Sequence, residues 1–94
     1  MTAERPIVLL DEMVLGMSDY LLDAGWKTEK ATEVLGNPVS DAKLVQSANS
    51  GKYVLISLDK KLMSRCRVKG IKTIELRFED LARIALERLD KEFG

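Results

Sequence analysis

Residues Ile7-Val8-Leu9-Leu10 run without a gap into two acids, Asp11-Glu12. An apolar run this short reads as a strand buried on both faces, the kind found in the middle of a parallel sheet. In open α/β sheets, ligands collect outside the carboxyl ends of the strands, where the strand order reverses. Two carboxylates at such a place are either a metal or phosphate-chemistry site, or a polar strand end that faces water.

The remaining chain has to build the layers that bury this strand. Its 94 residues make one domain, 1–94, near the small end of what encloses a useful core without staples. With 46% hydrophobic and 32% charged residues it has a globular composition. Aromatic residues are 5%, so the core must come from Leu, Val, Ile, Met and Ala. Fifteen basic residues cancel fifteen acidic ones, so any electrostatic message lies in their distribution. The lone Cys66 rules out an intramolecular disulfide and fits a reducing interior. No apolar run approaches the ~18 residues of a membrane span, and the first residues do not read as a signal peptide. These features predict a cytoplasmic protein with no membrane partner. Histidine is absent, which excludes Ser-His-Asp and Cys-His catalytic units and His-ligated zinc or iron. Carboxylates and carbonyls remain as metal ligands, and they suit magnesium, manganese or calcium.

After Asp11-Glu12, the spacing of Val14, Met17, Leu21 and Leu22 predicts a helix stopped by Gly25. Trp26 to Val34 alternates irregularly and predicts a polar edge strand; Gly36-Asn37-Pro38 is a loop. Ser40 is the N-cap expected for a second helix, with Asp41 in its first turn, Leu44, Val45 and Ala48 as its stripe, and Gly51 ending it. Tyr53 to Ile56 is the next buried strand and runs into Ser57-Leu58-Asp59. Leu62, Met63 and Cys66 mark a third helix closed by Gly70, and Ile71 to Leu76 a fourth strand. Phe78, Leu81, Ala82, Ala85, Leu89 and Phe93 are spaced for a long last helix, with Glu79 and Asp80 at its start and Arg88 and Lys91 near its end. The order β-α-β-α-β-α-β-α predicts a small three-layer α/β/α domain with a mainly parallel four-stranded sheet, its first and third strands central.

This topology brings Asp11, Glu12, Asp41 and Asp59 to one end of the sheet. Carboxylates from separate elements repel unless a cation neutralises them, so such a cluster argues for a divalent ion. Each also has an ordinary structural explanation: Asp59 as a helix N-cap, Asp41 as a first-turn acid, Glu12 as a solvated side chain. Asp11 ending a buried strand is harder to explain that way, because acids are depleted there.

The strings Leu9-Leu10-Asp11-Glu12, Ser40-Asp41 before a helix, and Tyr53-Val54-Leu55-Ile56-Ser57-Leu58-Asp59-Lys60 resemble the small PIN-like nuclease domains of bacteria and archaea, whose compact branch reads DEN, SD and TxDxDF at these places. The resemblance spans about residues 7–76 and lies in the order and spacing of short motifs. It implies a metal-dependent endoribonuclease fold with VapC-type toxins of toxin–antitoxin pairs as relatives. It also implies that Asp11, Asp41 and Asp59 are catalytic acids holding Mg²⁺ or Mn²⁺, with Glu12 a fourth ligand. Two positions depart from the pattern: Met13 stands where a polar amide is usual, and Lys61 where a further acid is common. An ammonium beside the site competes with a metal or reaches a substrate phosphate, which leaves a weakened or single-ion member as the alternative.

Between Lys60 and Lys72 lie six basic residues and no acid: Lys60, Lys61, Arg65, Arg67, Lys69 and Lys72. As function, this face attracts an RNA backbone; as structure, it is the solvated side of an amphipathic helix. No aromatic residue interleaves it to stack on bases. Cys66 falls on the helix's apolar side and is expected in the core. Ile84 and Leu86 lie off the last helix's main stripe and hint at a homodimer or a protein partner such as an antitoxin. The competing functions are therefore an RNA-cleaving enzyme and a lapsed module that binds RNA or protein through Lys60–Lys72. A phosphoryl-accepting receiver domain is disfavoured, because too few elements follow Asp59.

Overall fold

The structure, a computed structural model, describes residues 5–94. Four strands, β1 (Ile7–Leu10), β2 (Thr28–Lys30), β3 (Tyr53–Ser57) and β4 (Thr73–Glu75), form one all-parallel sheet in the order β2-β1-β3-β4. The helices are α1 (Ser18–Asp23), α2 (Ala31–Val34), α3 (Asp41–Asn49), α4 (Lys60–Val68) and α5 (Phe78–Phe93). The predicted α/β class, the parallel sheet and the central β1/β3 pair are all present.

Register explains the burial of the first apolar run. Val8, Leu9 and Leu10 lie beside Val54, Leu55 and Ile56, so side chains on neighbouring strands point to the same face. Leu9 and Leu55 join Ala31, Leu44, Val45, Ala48, Leu62, Met63 and Cys66 beneath α2, α3 and α4. Val8, Leu10 and Ile56 face the other way, onto Val14 and the partly buried Leu21 and Trp26. Leu9, Leu10 and Leu55 are fully enclosed, and each such side chain contributes about 1.5–3 kcal/mol by leaving water.

Gly25 (φ +94°) and Gly70 (φ +72°) turn the chain out of α1 and α4 through left-handed backbone. At both ends the glycine N–H donates three residues back and the next N–H five residues back, to Leu22 and Leu21 at Gly25 and to Arg67 and Cys66 at Gly70. This double bond pattern satisfies carbonyls that the helix ends leave open.

Four elements differ from expectation, the simplest being the fourth strand, expected over 71–76 and confined to Thr73–Glu75. The segment from Glu12 to Met17 is a 3₁₀ helix broken at Val14 (φ −121°, ψ 17°), and only Ser18–Asp23 is α-helical. The strand expected over 26–34 is cut to Thr28–Lys30, and Ala31–Val34 makes a helical turn. Ala31 and Leu35 decide this: four residues apart, they turn to the same core cluster, and the Leu35 N–H donates to the Ala31 carbonyl at 2.8 Å. The last helix has the expected length, but it buries none of its residues, whether on or off the predicted stripe. No helix among the described residues is long and apolar enough to cross a membrane.

Candidate active site at the carboxyl edge of the sheet

β1 and β3 are central, and the chain leaves them in opposite directions, so the crevice at their carboxyl ends is the point where strand order reverses. Asp11 follows β1 directly and Asp59 follows β3 after Leu58. Between them stands Ser57, the last residue of β3, with no exposed surface. Its hydroxyl donates to Asp11 Oδ2 at 2.6 Å and accepts from the Asp59 backbone N–H at 2.9 Å. A hydroxyl has one proton and two lone pairs. With its proton committed to a carboxylate, Ser57 offers a lone pair to the backbone beyond, and Asp11 and Asp59 are joined through a single buried oxygen.

Each acid also does local work. Asp11 Oδ1 accepts from the Glu12 N–H at 2.7 Å, capping the 3₁₀ helix. Asp59 Oδ1 accepts from the Lys61 and Leu62 N–H groups at 3.0 and 3.1 Å, capping α4 and leaving Oδ2 outside the cap. The expected N-cap role of Asp59 is therefore real and coexists with its position beside Asp11. Ser40 likewise caps α3, accepting from the Lys43 N–H at 3.2 Å.

The other expected acids stand differently. Glu12 is exposed, in the first turn after Asp11. Asp41 opens α3, which leads into parallel β3, so its first turn belongs to the same edge of the sheet. Its carboxylate is engaged by Arg65 of α4, with Oδ2 3.5 Å from the guanidinium. Among the described residues, no three acidic or thiol side chains are grouped closely enough to cage a metal ion. A two-carboxylate site suits magnesium, which keeps most of its waters and takes only one or two protein carboxylates beside substrate phosphates. The pair Asp11 and Asp59 fits that requirement. Ser57 holds the Asp11 carboxylate and the Asp59 backbone, while the Asp59 carboxylate is oriented by its cap on α4.

The basic stretch divides in two. Lys60 pairs with Glu79 at 3.7 Å, Arg65 with Asp41, and Arg67 with Glu75 at 2.7 Å. Lys61, Lys69 and Lys72 are exposed and form no ion pair among the described residues. On the same helix, Cys66 is buried as expected, and burial pushes its thiol above its ordinary pKa against the opposing charges of Arg65 and Lys69.

Sequence reasoning missed two residues of this edge. Ser57 signalled itself only as a hydroxyl closing an apolar run two positions before Asp59. Glu75, in register with Ser57, holds Arg67 on one carboxylate oxygen and Arg77 on the other, at 2.7 and 3.1 Å. Arg77 lies two residues on in the sequence, but Arg67 comes from another element, so the local sequence does not reveal the full clamp.

No family model matches the chain, and no curated protein or solved structure is similar to it; the likeness to PIN-like domains rests on the sequence motifs alone.

Proposed function

We propose that this chain is a PIN-like, metal-dependent endoribonuclease that works as the toxin component of a toxin–antitoxin pair in the cytoplasm. The hydrogen-bonded sequence Asp59 N–H, Ser57 hydroxyl, Asp11 carboxylate is the observation that carries this reading. It orients the Asp11 carboxylate and ties it to the backbone of Asp59 at the strand-order switch point, where a phosphodiester would enter. Asp11 and Asp59 would hold Mg²⁺ or Mn²⁺. Such an ion supplies acidification of water and neutralisation of phosphate charge. Ser57 and the Glu12 N–H, one on each oxygen, keep the Asp11 carboxylate in one orientation. Lys61, in the first turn of α4 beside Asp59, and Lys69 at its far end attract the RNA backbone along the helix. The test is RNA cleavage with Mg²⁺ or Mn²⁺ by the wild type, Asp11→Asn and Asp59→Asn. Both variants are expected to lose at least a hundredfold in rate; equal rates in all three overturn the reading.

A second reading is an RNA-binding module without cleavage, and the Asp41–Arg65 ion pair favours it by keeping a third carboxylate occupied. It predicts RNA binding that weakens with salt in a protein that neither binds Mn²⁺ nor cleaves. Mn²⁺ titration separates the two readings directly.

A further inference from the structure

All strands of a parallel sheet enter at one edge, so the residues before them stand in a row there. In this chain each strand is entered over a cation. Lys27, Lys52 and Lys72 come directly before β2, β3 and β4, and Arg5 stands two residues before β1. In sheet order the row reads Lys27, Arg5, Lys52, Lys72, about 14 Å long at the usual strand spacing. Lys69 adds a fifth cation at the end of α4. All five are exposed, and none forms an ion pair among the described residues. No acid lies at 5–6 or in the connections 24–27, 50–52 and 69–72, so a chain of zero net charge concentrates positive charge at this edge. Helix ends explain only part of it. Lys69 complements the C-terminus of α4, whereas Lys52 and Lys72 lie past the helices, on the strand entries.

A cleft of about 360 Å³ opens into this row where β3 and β4 begin. The two strands pair only from Leu55 and Thr73 onward, so Tyr53 and Val54 stand unpaired on that side and Ile71 and Lys72 diverge from them. Pro6, Tyr53, Val54 and Ile71 give the cleft apolar walls, and Asn49 and Lys72 give it polar groups. Lys52 Nζ stands 5.3 Å from the centre of the Tyr53 ring, so a second cation flanks the same opening. The volume is near the lower end of the roughly 300–1,000 Å³ of small-ligand sites. Apolar walls, an amide and cations at the mouth are the chemistry that takes a nucleotide, base inward and phosphates outward.

We propose that the amino edge of the sheet binds single-stranded RNA, with one base in this cleft and its flanking phosphates on Lys52, Lys69 and Lys72. The choice of RNA, and its path, rest on the ribonuclease reading. α4 starts beside Asp59 at the carboxyl edge and ends beside the cleft, about 13 Å away along its nine residues. Lys61 at its start and Lys69 at its end lead a strand from the acids to the cleft. The cleft selects a single strand over a duplex, because only an unpaired base is free to enter it.

Fluorescence anisotropy of a short labelled single-stranded RNA with the full chain, in EDTA so that no strand is cut, tests this. Replacing Lys52 and Lys72 together by Ala is expected to weaken binding about tenfold and to lower the slope of log K against log salt by about 1.4, 0.7 for each phosphate contact. Asn49→Trp fills the cleft from an exposed helix end without changing charge. It is expected to weaken RNA binding while leaving the slope, and the affinity for inorganic polyphosphate, as in wild type. Asp11→Asn is expected to bind like wild type. Unchanged affinity in the double-lysine variant or in Asn49→Trp overturns the proposal, as does a duplex RNA or polyphosphate that binds as tightly as the single strand. Cleavage assays on the same proteins keep the two readings apart. Cleavage by a wild type whose double-lysine variant binds normally removes the amino-edge site alone; binding lost in that variant, with no cleavage by any protein, removes the ribonuclease reading alone.

Discussion

The hydroxyl of Ser57 and the carboxylate of Asp11, 46 residues apart, meet at 2.6 Å across the two central strands. This contact locks the register of β1 on β3 at its polar end and orients the acid on which the proposed chemistry depends. Ser57→Ala removes the donor to Asp11 and the acceptor for the Asp59 N–H together. Unfolding in urea is expected to show a loss of about 1–3 kcal/mol, as for a buried bond to a charged partner. RNA cleavage is expected to fall with the Mn²⁺ requirement raised, since Asp11 is no longer held in one orientation.

Asp59 caps α4 and, in our reading, binds metal; two substitutions separate these roles. Asp59→Asn keeps a good N-cap and is expected to change stability by only a few tenths of a kcal/mol while abolishing cleavage. Asp59→Ala is expected to lose both, with about 1 kcal/mol of stability. Thermal unfolding and RNA cleavage measured on the same preparations check the pair.

Lys61 and Lys69 should act through RNA affinity alone. Replacing either by Ala is expected to weaken RNA binding at every sequence and to lower the slope of log K against log salt by about 0.7, the value for one phosphate contact on a single strand. Arg65→Ala separates a structural role from this one. It frees Asp41 from its ion pair, so Mn²⁺ affinity is expected to rise while RNA affinity falls.

Cys66 carries a pH prediction. Its folded pKa lies above the unfolded value because burial disfavours the thiolate. The folded state therefore binds the proton more tightly, and the thiol's contribution is complete below the unfolded pKa and is lost as pH rises through the folded one. Relative to Cys66→Ala, the wild type is expected to lose stability as pH rises above about 8.5, the ordinary thiol value. At pH 7 the native thiol is expected to react with an alkylating probe only at the rate of unfolding, which comparison with urea-unfolded protein reads directly.

Leu9 and Leu55 are adjacent in register and fully buried at the centre of the sheet. Leu9→Ala or Leu55→Ala is expected to cost about 2–5 kcal/mol, a large share of what so small a domain has. Chemical denaturation of each variant measures this.

Much of this protein is legible one segment at a time. The apolar runs Ile7–Leu10 and Tyr53–Ile56, the caps Ser40 and Asp59 and the stops Gly25 and Gly70 each depend on a few neighbouring residues, and together they determine an α/β chain with a parallel sheet. The same locality places Asp11 and Asp59 at the carboxyl edge, because strand direction is set once parallel pairing is. Other features arise between segments. The turn at Ala31–Val34 exists because Ala31 and Leu35 share one core cluster, which local alternation hides. Asp41 turns to Arg65, and Glu75 to Arg67 and Arg77, because folding brings α3, α4 and β4 together. The stripe on α5 is plain in the chain, but periodicity reports only that a face is apolar, not what covers it. Tertiary structure shows that α5 buries none of its residues against its own sheet, which no local spacing records.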